Sequence, residues 1–81
     1  MIKHPLATEK SIRLMESANT LVFVVDKKAT KIDIKAAIEK MFTAKVVRVN
    51  TTITRMGEKR AYVKFAQETP AIDIATNLGL M

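Results

Sequence analysis

Cysteine is absent from the 81-residue chain, and glycine and proline occur only twice each. Without thiols the chain cannot form a disulfide, a cysteine-ligated zinc site or a cysteine nucleophile. Two glycines cannot build a phosphate-binding loop, and no GKT or GKS sequence is present, so nucleotide hydrolysis is not expected. The scarcity of glycine and proline, together with 48% hydrophobic residues, indicates a globular chain rather than a disordered or collagen-like one.

Long hydrophobic runs are also missing. The longest uninterrupted apolar stretch is Leu21 to Val25, far below the roughly 20 residues that span a bilayer. The N-terminal segment MIKHPLATEK contains no apolar run typical of a signal peptide. We therefore expect neither membrane insertion nor secretion by the usual route. The length predicts a single domain over residues 1–81, without room for a deep substrate cavity.

Histidine occurs once, as His4, and no second histidine or cysteine could complete a metal or nucleophile site with it. The carboxylates Glu9 and Glu16 are separated by basic residues and have the spacing of a solvated helix face. We therefore predict that the protein is not an enzyme and has no catalytic residues, no metal site and no cofactor.

Positive charge is what the sequence has in excess. Lysine and arginine number 14 against 8 acidic residues, which gives a net charge of +6 and a pI near 9.9. The excess is concentrated between Lys45 and Phe65, where Glu58 is the only acid, whereas the segment from Ala66 onward has no basic residue. A localised basic region on a small domain makes a polyanion the first partner to consider.

Hydrophobic periodicity and capping residues predict two helices with a strand between them. The first helix is predicted over Thr8 to Ser17, and the strand over Thr20 to Asp26, whose β-branched and aromatic sequence is typical of burial on both faces. Thr30 is the predicted N-cap of the second helix, Asp33 completes a near capping box, and the helix should run to about Phe42. Its predicted apolar stripe consists of Ile34, Ala37, Ile38 and Met41.

Alternating residues predict a hairpin in the second half of the chain. Its strands cover Lys45 to Thr54 and Lys59 to Ala66, and its turn is at Met56 to Glu58. Thr69 and Pro70 predict the cap and first turn of a third helix, which Gly79 would end. The predicted core side of the hairpin carries Val47, Val49, Thr51, Ile53, Ala61, Val63 and Phe65, with Val46 on the other side. This order predicts an α+β fold with an antiparallel-dominated sheet of at least three strands, and Ile2 with Lys3 is too short to predict a fourth.

The other side of the hairpin combines cations, amide and hydroxyl groups and one aromatic ring. Cations can bind phosphates, the neutral polar groups can bind riboses or base edges, and a ring can stack on a base. This composition fits an RNA surface as well as it fits the solvated face of a basic protein, and both interpretations stay open. A second basic group, at Lys27, Lys28 and Lys31, favours a solvated surface when taken alone. The hairpin side consists of Arg48, Asn50, Thr52, Thr54, Arg60, Tyr62 and Lys64.

Four segments together resemble a known family: HPLATEKS, KKATKIDIKAAIEKMF, VVRVNT and KRAYVKFA. The chain is similar end to end to the large-subunit ribosomal protein family numbered twenty-three. The short turn around Gly57 resembles the archaeal form, which lacks the long basic loop of bacterial members, and Phe65 stands where leucine is more usual. The resemblance implies a three-layer α/β/α fold with a small antiparallel sheet, cytoplasmic localisation in the large ribosomal subunit, and binding to large-subunit ribosomal RNA at the rim of the peptide exit tunnel.

The resemblance also implies partners and residues. Expected partners are large-subunit ribosomal RNA, neighbouring ribosomal proteins, and the signal recognition particle, nascent-chain factors and translocon at the tunnel exit. Glu9 matches an acidic position used in docking a nascent-chain chaperone, and with Glu16 it forms the predicted partner-docking site. The residues predicted to bind RNA, from the resemblance and from the strand pattern, are Lys28, Thr30, Lys31, Arg48, Asn50, Thr51, Thr52, Arg55, Lys59, Arg60, Tyr62 and Lys64.

Two alternatives from other functional classes stay open. Val22 to Val24 and Ala61 to Phe65 imitate the two strand motifs of an RNA-recognition module that binds single-stranded RNA, although Arg60 stands where a second aromatic is expected. Alternatively, the protein is an interaction module whose short helices bind a protein partner. Salt-dependent RNA binding would separate the second alternative from the RNA-binding interpretations.

Overall fold

Four strands and three helices form the structure within residues 2–78, which are the residues described by the computed structural model. This arrangement confirms the predicted α+β fold class. In chain order the elements are β1 (Ile2–Pro5), α1 (Glu9–Ala18), β2 (Thr20–Val25), α2 (Lys31–Phe42), β3 (Val46–Ile53), β4 (Lys59–Phe65) and α3 (Ala71–Asn77).

The sheet has the strand order β1-β2-β4-β3, and each neighbouring pair is antiparallel. The predicted hairpin is therefore present as β3 and β4. The strands β2 and β3, which α2 connects, lie on either side of β4 and do not pair with each other. The fourth strand, too short to predict from sequence, is β1 at one edge, and Leu6 extends its pairing by donating its N–H to the Val22 carbonyl.

The first two helices each begin at a threonine N-cap, whose side chain bonds to the backbone three residues later. The Thr8 hydroxyl accepts from the Ser11 N–H, and the Thr30 hydroxyl accepts from the Asp33 N–H at 3.2 Å. The Asp33 carboxylate in turn accepts from the Thr30 N–H at 3.4 Å. Both are capping boxes, in which side chains satisfy N–H groups that lack partners within the helix. The Thr30 cap is a confirmed prediction.

The core lies between α2 and the face of the sheet that carries Phe23. Ile34 and Ile38 of α2 are fully buried there, and the Phe42 ring stacks on Phe23 with centroids 6.3 Å apart. The side chains of Met15 from α1 and Ile74 from α3 belong to the same cluster. On the opposite face, Val22 and Val24 are also buried, and Leu6 and Leu14 border Val22. The prediction that β2 is buried on both faces is confirmed.

The predicted core side of β3 and the predicted apolar stripe of α2 are each wrong in part. Val46 is 4% exposed and Val47 59% exposed, the reverse of the simple alternation, because a register irregularity between Val46 and Arg48 turns Val46 inward. Ile53, at the end of β3, is 64% exposed. In α2, the predicted stripe ends early, since Met41 is 60% exposed whereas Ile34 and Ile38 are buried.

The start of α3 also differs from the prediction. Pro70 is the N-cap residue and Thr69 does not cap the helix, because the Thr69 hydroxyl accepts from the Lys45 N–H at 3.3 Å. The first N–H of the helix, that of Ala71, is instead bound by the Asn19 side-chain oxygen at 2.6 Å. A residue distant in sequence therefore supplies the cap. Gly79, the predicted end of this helix, lies outside the described residues.

Candidate nucleic-acid interface

A polar ladder crosses β3 and β4 on the face of the sheet opposite α2. Register pairs Arg48 with Lys64, Asn50 with Tyr62, and Thr52 with Arg60, so these six side chains lie on one face in three successive rungs. Four of them are exposed, whereas Tyr62 and Arg60 are half-buried. Strand alternation predicted these six together with Thr54, and the register confirms the six. Thr54 lies beyond the end of β3, where its hydroxyl accepts from the Glu58 N–H at 3.2 Å. We call these six residues the ladder.

The Arg48–Lys64 rung places two cations directly opposite each other on neighbouring strands. Like charges in this position repel and reduce the stability of a hairpin. Neither side chain forms an ion pair within residues 2–78. A costly pair of unneutralised cations on an exposed sheet face is suited to an anionic ligand.

Arg60, at the other end of the ladder, is held in place by an acid. Its Nε donates to Glu58 Oε1 at 2.9 Å, and both side chains are about one-third exposed. This hydrogen bond raises the pKa of Arg60 above its ordinary value, with smaller favourable contributions from the charge of Glu58 and from Tyr62. The guanidinium is therefore permanently charged and fixed in orientation, but part of its charge is already compensated.

The segment leading into α1 restricts access to this end of the ladder. Leu6, Ser11 and Leu14 share a small cavity with Arg60 and Tyr62. An RNA-recognition module stacks bases on an open sheet, with its rings free on that face. A half-buried Tyr62 bordered by α1 does not fit this mode, so the structure gives no support to that alternative.

Two residues predicted to bind RNA lie on the other face. Lys59 pairs with Ile53 and Val25, and its Nζ donates to the carbonyls of Ala29 at 2.6 Å and Lys27 at 3.4 Å. Thr51 is opposite the buried Ala61 and is half-buried on the core side. Because alternate residues of a strand face opposite ways, neither can join the ladder. The two residues were predicted from the resemblance to the family, which did not indicate the face of the sheet on which each side chain lies.

A second basic surface lies at the end of the sheet where the hairpin turn meets the β2–α2 loop. It is an open cleft of about 850 Å³. It brings together four of the residues predicted to bind RNA: Lys28, which is distant in sequence from the others, and Arg55, Lys59 and Arg60. It also includes residues that the sequence did not indicate as a site. Its charged or titratable lining consists of Lys3, His4, Asp26, Lys27, Lys28, Arg55, Glu58, Lys59 and Arg60. We call it the basic cleft.

The remaining predicted residues lie outside both surfaces. Thr30 uses its hydroxyl in the α2 capping box, and Lys31 is exposed in the first turn of that helix. Glu9 and Glu16 are both exposed on α1, where Glu9 accepts from Arg13 Nη2 at 3.2 Å. The structure therefore does not bring Thr30 or Lys31 into the ladder or the cleft, and it presents both acids of the predicted docking site to solvent.

Within residues 2–78, no three histidine, cysteine or carboxylate side chains are grouped as metal ligands would be. No helix in that range is both long enough and apolar enough to cross a membrane.

Comparison with known proteins decides the family. The model of the family described as ribosomal protein L23 matches residues 1–75. The chain belongs to the ribosomal protein L23 family. It is 49% identical over 80 residues to a protein of Methanococcus vannielii, and the alignment covers 99% of this chain and 93% of the relative. A protein of Methanococcus aeolicus is 46% identical over the same length, with the same coverage.

Both relatives are named large ribosomal subunit protein uL23 and come from archaea, in agreement with the resemblance to the short archaeal form. Proteins of this family are structural components of the ribosome and not enzymes. The prediction that the chain is a non-enzymatic ribosomal protein of the large subunit, and thus located in the cytoplasm, is confirmed.

Proposed function

We propose that this protein binds large-subunit ribosomal RNA at the rim of the peptide exit tunnel and helps to form the docking site for factors that meet nascent chains. The observation that carries the RNA-binding part is the ladder, in which three cations, two neutral polar groups and one aromatic ring lie in register on one sheet face. The net charge of +6 supplies the long-range attraction for a polyanion.

The ladder has the chemical groups that an RNA contact needs. Arg48 and Lys64 carry unpaired positive charge that can displace counterions from phosphates. Asn50 and Thr52 offer amide and hydroxyl groups that can bind riboses or base edges. Arg60 is the most rigid cation of the set because Glu58 holds it. The expected ligand of this face is therefore a phosphate-ribose backbone with limited base contact.

The helix α1 carries the docking site for nascent-chain factors. Glu9 and Glu16 are exposed anions, which phosphate would repel. A protein surface with exposed basic or polar groups is the more favourable partner. The signal recognition particle, other nascent-chain factors and the translocon are the proposed partners of this helix, and neighbouring ribosomal proteins are expected to contact other parts of the surface.

The experiment compares two double variants that lose the same charge. Arg48→Gln with Lys64→Gln removes the open rung of the ladder, and Lys35→Gln with Lys40→Gln removes two exposed cations of α2. We expect the ladder variant to bind isolated large-subunit ribosomal RNA roughly ten- to a hundred-fold more weakly, and the α2 variant to change affinity less than about threefold. The measurement is a filter-binding titration at fixed salt. Equal losses in the two variants would show that net charge, not the ladder, governs binding.

A further inference from the structure

We propose that the basic cleft is a second RNA contact, separate from the ladder, which binds the phosphates of a double-helical RNA segment without reading its bases. This inference rests on the proposed RNA-binding function and deepens it. The cleft is formed by three parts of the chain that are distant in sequence: the first strand, the β2–α2 loop and the hairpin turn. Four exposed cations line it: Lys3 from the strand, Lys27 and Lys28 from the loop, and Arg55 from the turn.

The walls of the cleft are fixed by specific contacts. Lys59 Nζ reaches across from β4 to the Ala29 carbonyl at 2.6 Å, which ties the sheet to the β2–α2 loop. The hairpin turn is closed by the Gly57 N–H, which donates to the Thr54 carbonyl at 3.0 Å. Gly57 has a φ of +80°, and a Cβ at that position would lie 2.8 Å from Lys27 Nζ. Lys27 therefore packs against the turn, and the absence of a side chain at Gly57 permits this approach.

Two acids line the cleft, and one of them is paired with a cation. Glu58 binds Arg60 at 2.9 Å, and Asp26 Oδ1 accepts from the Lys28 N–H at 3.3 Å. Within residues 2–78, no carboxylate pairs with the side chain of Lys3, Lys28 or Arg55. These three cations therefore line the open cleft without an ion-pair partner, and the basic residues of the lining outnumber its two acids.

The lining of the cleft indicates which part of an RNA it accepts. Among residues 2–78, the imidazole of His4 is the only aromatic ring in the lining, and the apolar lining is Val24, Val25 and Met56. Successive bases of single-stranded RNA are held chiefly by stacking on several aromatic rings, and one imidazole cannot provide such a row. Phosphates need only cations, and a double helix presents phosphates of two strands to converging charges. A duplex backbone is therefore the ligand that fits the cleft best.

The test uses the full-length protein and two RNA probes of equal phosphate number, a mixed-sequence hairpin duplex and oligouridine. The cleft variant is Lys28→Gln with Arg55→Gln, and its matched control is Lys35→Gln with Lys40→Gln; all four side chains are exposed, so folding should be retained and is verified by circular dichroism. We expect the cleft variant to bind the duplex roughly ten- to a hundred-fold more weakly and to reduce the logarithmic salt slope by about 2, close to 0.9 for each lost cation.

Binding of the same variant to oligouridine should change less than about threefold, and the control should change neither probe by more than that. Equal losses in the cleft and control variants would overturn the proposal, as would a larger loss on oligouridine than on the duplex. In either case a normal affinity of the wild type for large-subunit ribosomal RNA would leave the proposed function standing. If the wild type failed to bind that RNA at low salt, the proposed function itself would fail.

Discussion

Replacing Asn19 should destabilise the protein more than any other change at a half-buried polar residue, because its side chain joins three elements. Asn19 ends α1 in the left-handed conformation, with φ 50° and ψ 41°. Its Nδ2 lies within hydrogen-bond distance of the carbonyls of Phe65 at 3.0 Å, Ala66 at 3.1 Å and Thr69 at 3.4 Å. Its Oδ1 accepts from the Ala71 N–H at 2.6 Å and so caps α3.

Two substitutions separate the two contributions of Asn19. Asn19→Gly removes about three hydrogen bonds at roughly 1 kcal/mol each but keeps the left-handed backbone without strain, so it should cost about 2–3 kcal/mol. Asn19→Ala loses the same bonds and adds about 1 kcal/mol for a Cβ in that conformation. Chains of this length have a free energy of unfolding of roughly 4–12 kcal/mol, at about 0.05–0.15 kcal/mol per residue. The alanine variant should therefore lose a substantial part of the total.

Urea denaturation followed by circular dichroism measures these differences. With an m-value of about 1.5 kcal/mol/M, the midpoint of the alanine variant should fall by about 2 M. The exposed Asn77 provides a matched control, since Asn77→Ala should change the free energy by less than about 0.5 kcal/mol. A glycine variant as stable as the wild type would refute the hydrogen-bond contribution, and identical costs for glycine and alanine would refute the backbone contribution.

Three further predictions address the core, the ladder and α1. Phe65→Ala should lower the free energy of unfolding by about 3–5 kcal/mol, because Phe65 is 1% exposed and the variant leaves a cavity; an unchanged denaturation midpoint would contradict its burial. Lys64→Gln should raise the free energy of unfolding by a few tenths of a kcal/mol by relieving its repulsion with Arg48, and weaken RNA binding in the same protein; a loss of stability would argue against the like-charge rung. Glu9→Gln with Glu16→Gln should leave binding to ribosomal RNA within about twofold, and weaken the binding of signal recognition particle to reconstituted subunits. Failure of this variant to enter subunits would show that the two surfaces are not separate.

Much of the local structure follows from the sequence by itself. The Thr30–Asp33 capping box depends on atoms three residues apart, so residue types alone predict it. In the same way, alternation along β4 predicted that Ala61, Val63 and Phe65 are buried, since successive side chains of a strand must face opposite ways. The ladder followed for the same reason. The family could also be inferred from sequence alone, because a match between sequence segments does not depend on how the chain packs.

The tertiary structure decided what depends on contacts between distant segments. The irregularity between Val46 and Arg48 arises in the pairing of β3 with β4, and it exchanges the faces that alternation predicts for Val46 and Val47 while the rest of the strand keeps its predicted faces. Lys59 was grouped with Arg60 by sequence, but its ammonium binds a carbonyl of a loop 30 residues away. The basic cleft exists only because the first strand, the β2–α2 loop and the hairpin turn meet at one end of the sheet. Residue types and spacing determine which chemical groups are available. Which charges from separate segments come close together is determined only when the strands pair and the sheet forms.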